Sequence, residues 1–336
     1  MHKLFSSSLA AVLICLYCNC SGQISPRQFV WGINGHPLTQ IAYSDNIDDQ
    51  LDRINDLKLK SYRFDVLLDS NGYPKKEQLF AQLLTKLSAN GVMPLPTLMQ
   101  SGLKGSDNAL IYQKSYLQGQ NFGARYGKYL QVVEVNNEAD NKMMGPGNPS
   151  GRNKGDYDTQ KSQKIIASIK GFIDGLKSSN STIKVTISVS YIHYYYLQLL
   201  KDNNVNYDII GCHWYSNMGP IGAAKPFGDD VLTEFKNRFN KPVWVTEFNQ
   251  SKGTSKATFA QQSQYITATI PDLISRGVTG LFIYELYDQP ALKIRYPNEA
   301  NYGLVYKDDS GNYITKDAYQ AYRQIIRNAI QSIKNN

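Results

Sequence analysis

Beyond about residue 22 the chain alternates two hydrophobic patterns. Short apolar, β-branched runs recur as "QFVWGING", "SYRFDVL", "VMPLPTL", "LQVVEVN", "IKVTISVS", "YDIIGCHWY", "PVWVTEF" and "TGLFIYEL". Most are separated by segments with helical spacing. "IDDQLDRINDLKL" places Ile47, Leu51, Ile54 and Leu57 on one face, and "KEQLFAQLLTKLSANG" closes on a glycine suited to a helix C-cap. "SQKIIASIKGFIDGLKSS", "DDVLTEFKNRF" and "FAQQSQYITATIPDLISRG" repeat the pattern. The third unit is the weakest, because "QKSYLQGQNFGARYGKYL" is interrupted by glycines.

Continuous apolar strands between amphipathic helices predict a parallel sheet covered by helices. Eight such units fit a (β/α)8 TIM barrel better than an open doubly wound sheet. No Pro/Ser linker or shift in composition divides the chain, so one domain is expected over residues 23–336, ending in the helix "TKDAYQAYRQIIRNAIQSIK".

The first 22 residues have a different layout. "MHKLFSSSLAAVLICLYCNCSG" carries His2 and Lys3, then an apolar stretch, then small residues. This is the arrangement of a secretory signal peptide, too short to be a stable membrane span. Cleavage after Gly22 would leave Gln23 first; acylation of Cys18 or Cys20, as in a lipoprotein, is the alternative. A secreted, periplasmic or surface-attached protein is expected, and a monomer. With Cys15, Cys18 and Cys20 in the leader, only Cys212 remains, which rules out a disulfide framework and a cysteine metal site within the mature chain. The formal net charge is +8, but no run of lysine and arginine accompanies it. A nucleic-acid partner is therefore not expected.

In a (β/α)8 barrel the chemistry sits at the C-terminal ends of the strands. The first strand ends in Asn34 and His36, the second carries Arg63 and Asp65, and the fourth ends in Asn137 and Glu138. The sixth ends in His213, Trp214 and Tyr215, the seventh in Glu247 and Asn249, the eighth in Glu285, Tyr287 and Asp288. Two carboxylates from separate strands suit glycoside hydrolysis, in which one carboxyl protonates the leaving oxygen and the other attacks the anomeric carbon. Arg63 would keep one carboxylate charged and Tyr215 would donate to it, while Trp31, Trp214 and Tyr287 would offer flat faces to sugar rings.

The stretches "EVNNEAD" and "VWVTEFNQS" resemble the signatures of clan A glycoside hydrolases, retaining β-glycosidases built on (β/α)8 barrels. The resemblance implies Glu138 as acid/base, Glu247 as nucleophile and Asn137 as a ligand of the sugar 2-hydroxyl. "YRFDV" is similar to the clan's strand-two arginine element and "CHWYS" to its strand-six His-x-Tyr element. The motifs are closest to family 39, with families 5 and 30 as relatives; the tail "NYGLVYKDDSGNYITKDAYQAY" is similar too. Ala139 stands where a proline is usual, and "YELYDQP" where the clan often carries a tryptophan.

Blander readings stand beside these. Glu138 and Glu247 would be solvated strand-end groups, Arg63 a structural partner of Asp65, and His213 a satisfied core histidine. Alternation along "GCHWYS" puts His213 and Tyr215 on one side and Trp214 on the other. Glu285 is either a sugar ligand or a buried partner of Arg295, and His36 and Asn34 are candidates for the nonreducing subsite. "YIHYYY", Tyr191 to Tyr196, is either a platform or a run split between core and surface. His36, His193 and His213 lack a metal-ligand spacing, so neither metal nor cofactor is expected. The expected substrate is a carbohydrate; a non-catalytic sugar-binding barrel, or a barrel hydrolase or lyase of another class, is the alternative. The Gly/Pro-rich segments Lys142–Asp156 and Asn217–Gly228 are long enough to wall a cleft.

Overall fold

The computed structural model describes residues 29–101 and 107–334; the leader expected from the sequence, with Cys15, Cys18 and Cys20, lies outside them. Eight parallel strands close into a barrel in sequence order: β1 (Val30–Gly35), β2 (Ser61–Leu67), β3 (Met93–Met99), β4 (Val132–Val135), β5 (Lys184–Ser190), β6 (Ile209–Tyr215), β7 (Val243–Asn249) and β8 (Gly280–Ile283). The ring closes where Val30 to Ile33 of β1 pair with Gly280 to Ile283 of β8. The expected (β/α)8 barrel is what forms.

Helices follow the strands. After β1 come α1 (Ile41–Ser44) and α2 (Ile47–Asp56), after β2 α3 (Glu77–Ala89), and after β3 α4 (Asn108–Tyr126). After β4 come α5 (Ala139–Met143) and α6 (Thr159–Ser179), after β5 α7 (Tyr194–Asp202), and after β6 α8 (Val231–Phe239). α9 (Phe259–Ser275) leads into β8, and a hairpin of β9 (Val305–Lys307) and β10 (Tyr313–Thr315) precedes α10 (Asp317–Lys334).

The third unit departs from the sequence expectation, because α4 runs unbroken for 19 residues. Its glycines serve contact with α6. A Cβ on Gly119 would sit 2.0 Å from the Phe172 carbonyl oxygen, and one on Gly175 would sit 1.9 Å from that of Tyr116. Close backbone approach, not propensity, holds this helix, and Asp107 caps its start by accepting from the Leu110 N–H at 2.8 Å. The aromatic run after β5 is also partly helical, with Tyr194 and Tyr196 in the core and Tyr191 and Tyr195 partly exposed.

Inside the barrel, Val30, Leu95, Val132, Ile209, Trp244 and Phe282 pack as an apolar floor. The larger core lies between sheet and helices and includes Trp31, Trp214 and the fully buried Cys212. The Tyr322 hydroxyl donates to the Gly32 carbonyl at 2.8 Å and docks α10 on β1. Among the described residues no helix is long and apolar enough to cross a membrane.

Candidate active site

Above the apolar floor the barrel interior turns polar, and Arg63 on β2 is its hub. The side chain is 3% exposed, so every N–H needs a partner. Nη2 donates to Glu134 Oε1 at 2.5 Å and Asn137 Oδ1 at 2.8 Å. Nη1 donates to Asn34 Oδ1 at 2.6 Å and Glu247 Oε1 at 2.9 Å. Burial alone would favour loss of its proton, but the charges of Glu134 and then Glu247 hold it firmly protonated. Arg63 thus ties β1, β4 and β7 to β2. It is not the ion-pair partner of Asp65, which His36 holds instead at 2.6 Å.

The polar cluster after β4 is a strained turn. Asn136 and Glu138 both take left-handed backbone conformations, at φ 60° and 45°. Asparagine tolerates that region; glutamate adopts it at a cost that the surroundings must meet. The Glu138 N–H donates to Ser188 Oγ at 2.9 Å, which helps to hold the turn. Its carboxylate accepts from His213 Nδ1 at 2.8 Å and from Asn141 Nδ2 at 3.0 Å. Burial pushes this carboxyl up, but the hydrogen bond and charge of His213 outweigh it and hold the group down at about 2.

Glu247, on β7, is buried and accepts from Arg63 on Oε1 and from the Tyr215 hydroxyl on Oε2, the latter at 2.7 Å. Burial and the Glu247 charge keep the Tyr215 phenol protonated, so it acts as a donor. His213 Nδ1 is also 3.5 Å from Glu247 Oε2, which makes this imidazole the link between the two glutamates. One ligand atom from each of Glu138, His213 and Glu247 lies within 4.8 Å of the others. The three are of metal-ligating type, and the Arg63 guanidinium 2.9 Å from Glu247 already supplies positive charge there.

A second polar chain lines the side made by β1, β2 and β8. His36 Nδ1 is 2.6 Å from Asp65 Oδ2, and its Nε2 is 3.2 Å from Glu285 Oε2. Burial would lower the His36 pKa, but the charge and hydrogen bond of Asp65, then Glu285, raise it to about 10. Tyr43 and Gln289 also donate to Glu285 Oε2, at 2.8 and 2.7 Å. Glu285 has no contact with Arg295, which lies over the ring of Tyr296 instead.

Three aromatic candidates do not reach the site. Trp214 is fully buried outside the barrel wall, its indole N–H donating to the Gly219 carbonyl, as the alternation on β6 implied. Tyr287 is 1% exposed and its hydroxyl bonds Asp49. Trp31 packs against Phe29 and Tyr322. Asn34 is occupied as well: its amide donates to the Thr246 carbonyl at 3.0 Å while its oxygen holds Arg63, so it positions the guanidinium. Asp288 is paired with the buried Lys316 at 2.7 Å.

Sequence reasoning missed Glu134, Asn141, Tyr284 and Ser190, whose hydroxyl oxygen accepts from Asn141 Nδ2 at 3.2 Å. Glu134 carried a signal: a charged residue inside an apolar strand, alternating inward, requires a buried cation. Tyr284 is partly exposed and packs edge-on against His36, Tyr215 and Tyr302, which makes it the aromatic that β8 presents to the pocket. The two long loops do meet: Arg152 pairs with Asp229 at 3.0 Å and lies over the ring of Phe227.

Residues 123–287 match the family model of the glycosyl hydrolase catalytic core. The match runs from within α4 to just past β8. The activity it implies is that of a glycosidase, with a carbohydrate as substrate. The matched span contains Glu134, Glu138, His213, Tyr215 and Glu247, and leaves Arg63 and Asn34 on the preceding strands. Among solved structures the fold is similar to a family 1 β-glucosidase from Thermotoga maritima, with 13% identity, 89% of this chain and 97% of that chain covered, and a TM-score of 0.66. The same enzyme in complex with azafagomine gives 13% identity, coverage of 90% and 98%, and a TM-score of 0.68. The β-glycosidase BGL167 gives 15% identity, coverage of 91% and 98%, and a TM-score of 0.59. At these identities the likeness is one of fold. No curated protein matches the sequence.

Proposed function

We propose that this glycosyl hydrolase core cleaves β-glycosidic bonds with retention of configuration. The carrying observation is the approach of the two glutamates: an oxygen of Glu138 lies within 4.8 Å of one of Glu247. Retaining enzymes hold their carboxyls about 5 Å apart, whereas inverting ones leave ~6.5–9.5 Å for a water. Glu247, charged and steadied by Arg63 and Tyr215, attacks the anomeric carbon as the bond to the leaving oxygen breaks. Glu138 gives that oxygen a proton, then takes one from the water that releases the sugar from Glu247. Asn137, held by Arg63, is the candidate ligand of the 2-hydroxyl, with His36 and Glu285 on the glycone side.

The free site holds Glu138 ionised, which suits the second step. For the first, a bound sugar displaces water from the cleft and leaves two carboxylates facing each other in a drier medium. Both changes raise the Glu138 pKa. The leader-like N-terminus supports export, and the motifs around Glu138 and Glu247 support family 39 as the nearest assignment.

The test is hydrolysis of a panel of aryl β-glycosides by the intact chain, Glu138→Gln and Glu247→Gln, with the first-formed anomer read by NMR. Retention, with both variants reduced at least about 1,000-fold, is expected. An inverted product, or full activity in the Glu247 variant, sinks the scheme.

A further inference from the structure

We infer that the glycone side of the pocket accepts an uncharged, hydroxyl-rich sugar and turns away uronates and sulfated sugars. The inference rests on Glu138 and Glu247 being the catalytic pair. The chain as a whole is basic, at +8, which taken alone would favour acidic glycans. The site has the opposite sign. Its cations are Arg63, His36 and His213, and each is already matched by carboxylates. Arg63 contacts Glu134 and Glu247, His36 contacts Asp65 and Glu285, and His213 contacts Glu138 and Glu247. Nearby, Lys316 is buried against Asp288.

Five carboxylates thus face three cations. A sixth, Glu299 on the exposed segment between β8 and β9, has its pKa raised by partial desolvation and then by the charges of Glu247, Glu285 and Glu138. The cations of that segment, Lys293 and Arg295, are exposed, and Arg295 lies over Tyr296. A sugar carboxylate placed here would meet like charge, and among the described residues each buried cation of the site is already paired with a carboxylate.

What the pocket offers is acceptors. Asp65 spends one oxygen on His36 and remains 23% exposed, and the Glu138 carboxylate is 31% exposed; Glu285 Oε1 has no hydrogen-bond partner, but that side chain is fully buried. Carboxylate oxygens accept strongly from hydroxyls, which donate, and not from sugar carboxylates, which cannot. Tyr284 adds an aromatic surface of the sort that favours a neutral pyranose or furanose ring.

The experiment uses matched 4-nitrophenyl β-glycosides in gluco and galacto configurations, each with its uronide. For at least one pair kcat/KM is expected to favour the neutral member by about 100-fold or more; a uronide cleaved within tenfold of its neutral partner overturns the inference. Should no glycoside be cleaved, the catalytic reading fails on its own. Calorimetry with the corresponding thioglycosides then decides the inference, since tighter binding of a neutral sugar supports it. Equal or tighter binding of a uronide, or no binding of any neutral member, overturns it. In Glu299→Gln the uronide-to-neutral ratio is expected to rise about fivefold, and an unchanged ratio overturns the electrostatic cause.

Discussion

His213 Nδ1 lies 2.8 Å from Glu138 Oε1, and this contact decides the charge of the residue proposed to act as acid and base. Replacing the imidazole in His213→Asn removes the interaction that holds the Glu138 carboxyl at about 2. Burial then dominates, and the pKa is expected to climb to or beyond the ordinary value of 4.5. The pH profile of kcat/KM should show the shift, and an unmoved profile would contradict it.

The same depressed pKa makes Glu138 a source of stability. The contribution is present above the unfolded value near 4.5 and is lost as pH falls toward 2. In Glu138→Gln, the fall in melting temperature between those two pH values should be shallower than in the intact chain.

His36 acts in the opposite direction. Its folded pKa of about 10 is raised above the ordinary 6.5, so its contribution is complete below 6.5 and fades as pH rises through 10. Urea unfolding of His36→Gln at a series of pH values should give lower stability at neutral pH. It should also give a flatter alkaline limb than the intact chain.

Glu134 and Arg63 form a buried pair, and removing Glu134 leaves the guanidinium with Glu247 as its one remaining charged partner and with unsatisfied N–H groups. Glu134→Gln is expected to cost about 3–5 kcal/mol of folding stability. It should also lower kcat, because a displaced guanidinium no longer steadies Glu247. Denaturation and steady-state kinetics on one preparation test both, and an unchanged midpoint would show that Arg63 does not depend on Glu134.

Gly119→Ala tests the helix pair. Its Cβ would meet the Phe172 carbonyl oxygen at 2.0 Å, so α4 and α6 must separate at a cost of about 1–3 kcal/mol, although alanine is the better helix former. A stabilised variant would refute packing as the reason for the glycine.

The barrel was legible because its strands are buried on both faces and its helices on one, which writes two distinct periods into the chain. The α4 helix was less so, since its stability comes from contact with α6, over fifty residues on from Gly119 at Gly175. Glu138 and Glu247 could be found from their positions at strand ends, and His213 and Tyr215 from alternation. The aromatic residues misled: Trp214 and Tyr287 lie near strand ends, but a tryptophan or tyrosine there serves the outer core as readily as a sugar. Glu134 was hidden by its apolar neighbours, because only its partner on another strand makes sense of a buried charge.

Arg63 has a consequence for how the site comes into being. Its partners come from β1, β4 and β7, so the guanidinium is satisfied only once the ring of strands has closed. A chain folded only from β4 onward would hold Glu134 and Glu247 yet lack the guanidinium that bridges them, leaving those carboxylates to repel one another. Competence for chemistry and completion of the barrel are therefore one event, and a half-built molecule is also an inert one.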